Sequence, residues 1–255
     1  MQNWFEVREK IDQLSSLDKG RQIFGADRHG YRLLPVANEG ELSEGEERLG
    51  VNLPSELRQF YMTIGNGIAG PHYGLTRLED LYGFNPSLPY QGLAYFRALA
   101  ASQETLPSDN DYFEISHEEI QGLIVIIPEG CGHQTCLISS GENAGKVVSV
   151  SCDGYVEESQ LSFADHYSAW LDANIDAFKK IQQLINSSFS MAEIKAIFLE
   201  EFHSYDASDL AVSLMGVEKP AELFGSGNLR IYNHAIQFPW YEEQLRVYRA
   251  KRSAG

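Results

Sequence analysis

Between Leu123 and Glu158 four short β-prone runs alternate with glycine-rich turns, and this spacing constrains the fold more than any other stretch of the chain. The runs are Leu123 to Ile127, Thr135 to Ser139, Lys146 to Val150 and Tyr155 to Glu158, rich in valine and isoleucine. Connections such as Ser140-Gly141 and Asp153-Gly154 are too short to carry a crossover helix. The spacing predicts an antiparallel meander.

A sheet of this kind needs a helix to cover it, and the next segment supplies one. Ser162 with Asp165 can cap a helix in which Phe163, Tyr167, Trp170, Leu171, Ile175, Phe178, Ile181 and Ile185 recur every three or four residues. On the N-terminal side, Trp4, Phe5, Val7, Ile11 and Leu14 predict a first amphipathic helix ending before Gly20. Ile23 to Pro35 reads as a connection into a short extended segment.

The unit from Ser43 to Gly74 reads as helix, turn, helix and sharp reversal. Ser43 followed by Glu46 matches a capping box, Gly50 stops that helix, and Pro54 suits the first turn of the next. Leu57, Phe60, Tyr61 and Ile64 form its apolar face, Gly65 ends it, and Asn66-Gly67 tolerates the positive φ of a reversal. From Leu78 to Gly122 the pattern weakens to loops with scattered aromatics, apart from a helix near Gly92 to Ala101.

The class is therefore α+β, an antiparallel central sheet flanked by helices, with residues 1–185 as one domain. Residues 186–255 read as a mainly helical extension: Ser190 with Glu193 forms a capping box, further helices start near Asp206, Pro220 and Pro239, and Leu229 to Tyr232 is its sole strand-like run. With 255 residues and 43% apolar composition, the core needs neither metal nor disulfide. Cys131, Cys136 and Cys152 fit no disulfide framework, and Met1 to Lys10 lacks a secretory apolar stretch, which places the chain in a reducing cytoplasm. The longest apolar run, Leu123 to Pro128, falls far short of the roughly 20 residues a bilayer requires.

Constellations that could carry chemistry are few. Cys131-Gly132-His133 sets a thiol near an imidazole, as a catalytic cysteine requires. Residues two apart on a strand share a face only loosely, however, and neither an orienting third residue nor an oxyanion loop is evident. Cys131, His133 and Cys136 are suitable zinc donors without a fourth. His29, His72, His117, His166, His203 and His234 match no HExxH pattern, and Gly65 to Gly74 lacks the lysine of a phosphate loop. The sequence reading assigns no catalytic residue, no metal and no cofactor.

Charge says more. The net charge is −16, and it is regional: from Glu39 to Glu119, fourteen acids face only Arg48, Arg58, Arg77 and Arg97. Such a surface repels nucleic acid and steers a basic protein toward it. Simple solubility is the competing explanation. Aromatics set among these acids suit an interface, and the candidate partner contacts are Tyr73, Glu79, Asp80, Tyr82, Asp109, Asp111, Tyr112 and Glu114. For the stretch from Asp109 to Glu114, a partner-facing loop and plain solvation both stay open.

Phe24-Gly25-Ala26, His29, Tyr31, Leu33 and Pro35, then an acidic helix and Leu53-Pro54, resemble the SUKH superfamily. So do Phe60, Gly65-Asn66-Gly67 and Gly70-Pro71 through Tyr73-Gly74-Leu75; Gly130-Cys131-Gly132, Leu137 and Gly145 to Val148 resemble its central hairpin. Phe163, Trp170 and Leu171 stand where that family has its aromatic helix, so the resemblance spans Gln22 to Ile185. The family includes a yeast cell-wall assembly regulator and many bacterial immunity proteins that neutralise toxins, often nucleases. It implies the fold above and binding without catalysis, with a cognate toxin domain as protein partner and neither nucleic acid nor membrane. A SUKH-type scaffold or regulator without a toxin partner is the alternative, and the oligomeric state stays open.

Overall fold

The meander is the centre of the fold. A computed structural model describes residues 3–21, 23–102, 118–151 and 156–185. Its five strands, β1 (Tyr82–Phe84), β2 (Leu123–Gly130), β3 (His133–Ile138), β4 (Lys146–Val150) and β5 (Val156–Ser162), lie in chain order with every neighbouring pair antiparallel. The protein is α+β, as the alternation of runs and turns predicts.

Strand alternation sorts the core onto two faces. Leu123 and Val125 of β2, Cys136 and Ile138 of β3, and Val148 and Val150 of β4 form one buried cluster with Phe96 of the helix α5 (Leu93–Ser102). Ile124, Ile126, Leu137 and Val147 point the other way and are equally buried. A sheet covered on both sides explains why the run from Leu123 reads as continuously apolar.

The edge strand β1 lies where the sequence predicts loop. Three residues are too few to show a period of two, and the middle one is Gly83, where any side chain would run into the Leu123 carbonyl oxygen. The absence of a β carbon is what lets β1 pair with β2.

Helix α1 (Trp4–Leu17) and helix α6 (Phe163–Ile185) lie where their periodicities put them, and the one-turn helix α2 (Ala26–His29) interrupts the stretch read as a connection. Asp165 N donates to Ser162 Oγ, the cap expected for α6. Helix α3 (Glu39–Leu49) starts earlier than the Ser43–Glu46 motif predicts. Asn38 is its cap: Glu41 N donates to Asn38 Oδ1 and Asn38 N donates to Glu41 Oε2, a complete capping box. Ser43, one turn inside, spends its hydroxyl on Glu39 O. Glu46 accepts from Leu53 N and so braces the turn into α4 (Ser55–Thr63). Gly50 ends α3 with φ +70°, as expected.

The reversal after α4 also differs in detail. Gly67 adopts φ +76°, but Asn66 acts through its side chain, accepting from Leu78 N and donating to Glu79 Oε2. Two buried tyrosines pin the segment that follows: Tyr61 donates to Thr76 O at 2.7 Å and Tyr167 to Ala69 O at 2.9 Å.

The chain divides into two units, Met1–Arg8 with Tyr31–Ser168, and Glu9–Gly30 with Ala169–Gly255. The first holds the sheet, α3, α4 and an aromatic cluster of Trp4, Phe60, Phe163 and Tyr167. In the second, Ile11, Leu14, Ile23, Trp170, Leu171 and Ile175 are buried, and Lys10 Nζ pairs with Asp172 at 2.8 Å. The helical extension expected over residues 186–255 lies outside the described residues, as do Asp109, Asp111, Tyr112 and Glu114.

Candidate functional site

A 3₁₀ turn, Leu78–Asp80, seats against α3 because Gly45 leaves room for it. A β carbon at Gly45 would stand 2.8 Å from Leu78 Cδ1. Arg48 Nη2 closes the contact by donating to Leu78 O at 2.6 Å. Leu42, Gly45 and Leu49 form the inward face of α3, so Glu41, Glu44 and Glu47 are left on the solvent side. Glu79 and Asp80 are also exposed, on the turn that abuts the helix. Acids far apart in sequence are thus exposed on two elements that touch through Gly45 and Leu78.

Fixed partners position several of these carboxylates. Arg58 bonds Glu39 and approaches Glu46 at 3.4 Å, and its hydrogen bond to Glu39 holds that carboxyl below the usual range. Arg77 lies 3.2 Å from Glu79, and its Nε donates to Asp80 at 2.6 Å; these acids, Asp80 foremost, keep the guanidinium charged. Asn66 adds a bond to Glu79 at 2.9 Å. Exposed pairs contribute little to stability, so their effect here is to hold carboxylates in set places. Glu44 and Glu47 form no ion pair among the described residues.

Of the contacts expected from sequence, Glu79 and Asp80 are exposed on the turn packed against α3. Tyr82 follows them on the β1 edge and is 47% exposed. Tyr73 is not the exposed group expected: it is partly buried, and its ring fills the space beside Gly130, where a β carbon would approach to 2.8 Å. It belongs to the β2–β3 hairpin rather than to the α3 contact. Sequence reasoning singled out none of Glu41, Glu44 and Glu47, and beginning the helix at Ser43 left Glu41 and Leu42 outside it. Their signal was present as glutamates spaced opposite Leu42 and Leu49.

The cysteine and histidine donors do not converge. Cys131 is exposed at the hairpin turn, whereas Cys136 is buried on the α5 face, where burial pushes its thiol far up. Among the described residues no three His, Cys, Asp or Glu side chains gather into a metal-holding group, and no helix is long and apolar enough to cross a membrane. A polar cavity of about 370 Å³ lies between the start of α5 and β5. Its carboxylate, Glu158, is already engaged by Tyr90 Oη and Leu93 N.

The sheet, α3, α4, the acidic turn and the beginning of α6 fall within residues 36–173, which match the SMI1 / KNR4 family (SUKH-1). The match begins after the Phe24 to Pro35 stretch that carries part of the sequence resemblance. No curated protein and no solved structure matches the chain. The chain belongs to the SMI1 / KNR4 family.

Proposed function

We propose that this SUKH-1 protein is a non-catalytic, cytoplasmic immunity protein that binds a basic toxin domain, a nuclease being the best fit, and blocks it by occupancy and charge. The observation that carries the reading is the set of exposed acids on α3 and on the Leu78–Asp80 turn packed against it. Glu41, Glu44 and Glu47 are exposed on the helix, Glu79 and Asp80 on the turn, and Tyr82 follows on β1. A protein that grips phosphates presents arginines and lysines, and a preset acidic surface steers such a partner and penalises the wrong ones. Tyr82 supplies an aromatic anchor. Asp109, Asp111, Tyr112 and Glu114 are proposed to add to this surface.

The test is genetic and biochemical. The gene is expected beside a large toxin gene with a variable C-terminal end, and the encoded toxin domain should co-purify with this chain and lose its toxicity on co-expression. A solitary gene whose product rescues no neighbouring toxin would instead favour a SUKH-type scaffold or regulator.

A further inference from the structure

Away from the acidic face, the first unit buries an acid and two imidazoles together. The irregularity between Pro128 and Gly130 makes Glu129 an extra residue in β2. Such a bulge breaks the alternation of the strand and re-aims a side chain; here the carboxylate is only 6% exposed. Its Oε1 accepts the Thr135 hydroxyl at 2.6 Å, and its Oε2 lies 3.7 Å from His72 Nε2. His72 has φ +50°, a conformation a non-glycine residue keeps when its surroundings hold it there. His166, near the start of α6, is buried as well.

We propose that this cluster is an acid-sensitive latch in which the His72–Glu129 pair clamps the loop Gly70–Gly74 onto the β2–β3 hairpin and protonation of His166 releases it. Ala69 and Thr76 are each pinned by a tyrosine, so release is confined to the loop between them. That loop carries Tyr73, whose ring lies against Gly130.

Burial first, and repulsion from His72 second, push the His166 imidazole down to about 4. Glu129 of β2 pairs with His72, Glu56 of α4 accepts Ala164 N at 2.9 Å, two residues before His166, and the exposed Asp165 of α6 accepts from Ser162 Oγ. Tyr167, its neighbour on α6, stays protonated because burial raises its hydroxyl. With a folded value below the unfolded one, the open form takes up the proton first. Clamping is full above the ordinary imidazole value near 6.5 and is lost as pH falls toward 4.

Amide hydrogen-exchange protection of the full chain, followed from pH 7 to 4.5, tests this directly. The expected result is a fall on the order of tenfold to 100-fold at His72, Tyr73 and Gly74 beyond any change in β2 to β4. His166→Gln should remove most of that fall, with His166→Asn as the substitute if the first variant does not fold at pH 7. A parallel loss across loop and sheet, or an unchanged fall in the folded variant, would overturn the proposal.

Discussion

The acidic face and the buried cluster use the same kinds of residue under opposite conditions. On the α3 face, carboxylates meet arginines in solvent, where screening leaves each pair nearly neutral for stability and available to a partner. Around Glu129, a carboxylate, two imidazoles and a hydroxyl sit inside the protein, where any missing partner is costly. Charge that water can reach serves recognition; charge that water cannot reach holds the fold in one arrangement and ties it to pH.

The largest break in this contrast is expected from Glu129→Ala. It removes the acceptor of the Thr135 hydroxyl and the carboxylate that faces His72, and should lower stability by about 3 kcal/mol in urea unfolding. Glu129→Gln keeps an acceptor for the Thr135 hydroxyl and should cost less. The pH dependence comes next. Because the folded-state value of His166 is depressed to about 4, stability should drop by about 2 kcal/mol between pH 7 and 4.5. His166→Gln should flatten that slope in the same unfolding experiment.

Single hydrogen bonds rank below. Tyr61→Phe and Tyr167→Phe each strand a carbonyl, Thr76 O or Ala69 O, and should cost about 1 kcal/mol. Asn38→Ala removes the cap of α3 and should cost about 1 kcal/mol, whereas Ser43→Ala should cost clearly less. If Ser43→Ala proves the more damaging, the boundary of α3 is wrong. Smallest of all, Glu44→Lys with Glu47→Lys should shift stability by no more than about 0.5 kcal/mol per substitution.

The two regions also differ in how much the sequence disclosed. Sheet order, the long helix after Ser162 and the stop at Gly50 follow from local periodicity and glycine conformation, so a linear reading finds them. The acidity of the α3 region was legible as charge, but not which acids face outward, because a start at Ser43 leaves out Leu42, one of the residues that mark the inward face. The pairing of Asn66 with Leu78 and Glu79 joins residues distant in sequence, and a turn signature gives no hint of it. The buried cluster was invisible for a further reason: His72, Glu129 and His166 match no motif. Glu129 also lies at a bulge, which has no sequence signal here. Strand β1 was hidden by its length and its glycine.

The central claim is that the exposed acids of α3 and the adjoining turn steer a basic partner. It is tested most directly by stopped-flow association with the toxin domain encoded by the neighbouring gene, measured across ionic strength. For the unmodified chain the rate should fall steeply with salt, and the combination Glu44→Lys, Glu47→Lys and Asp80→Lys should slow it at least about tenfold at low salt and flatten the dependence. Equal rates and equal salt slopes for the two proteins would contradict the assignment of this face.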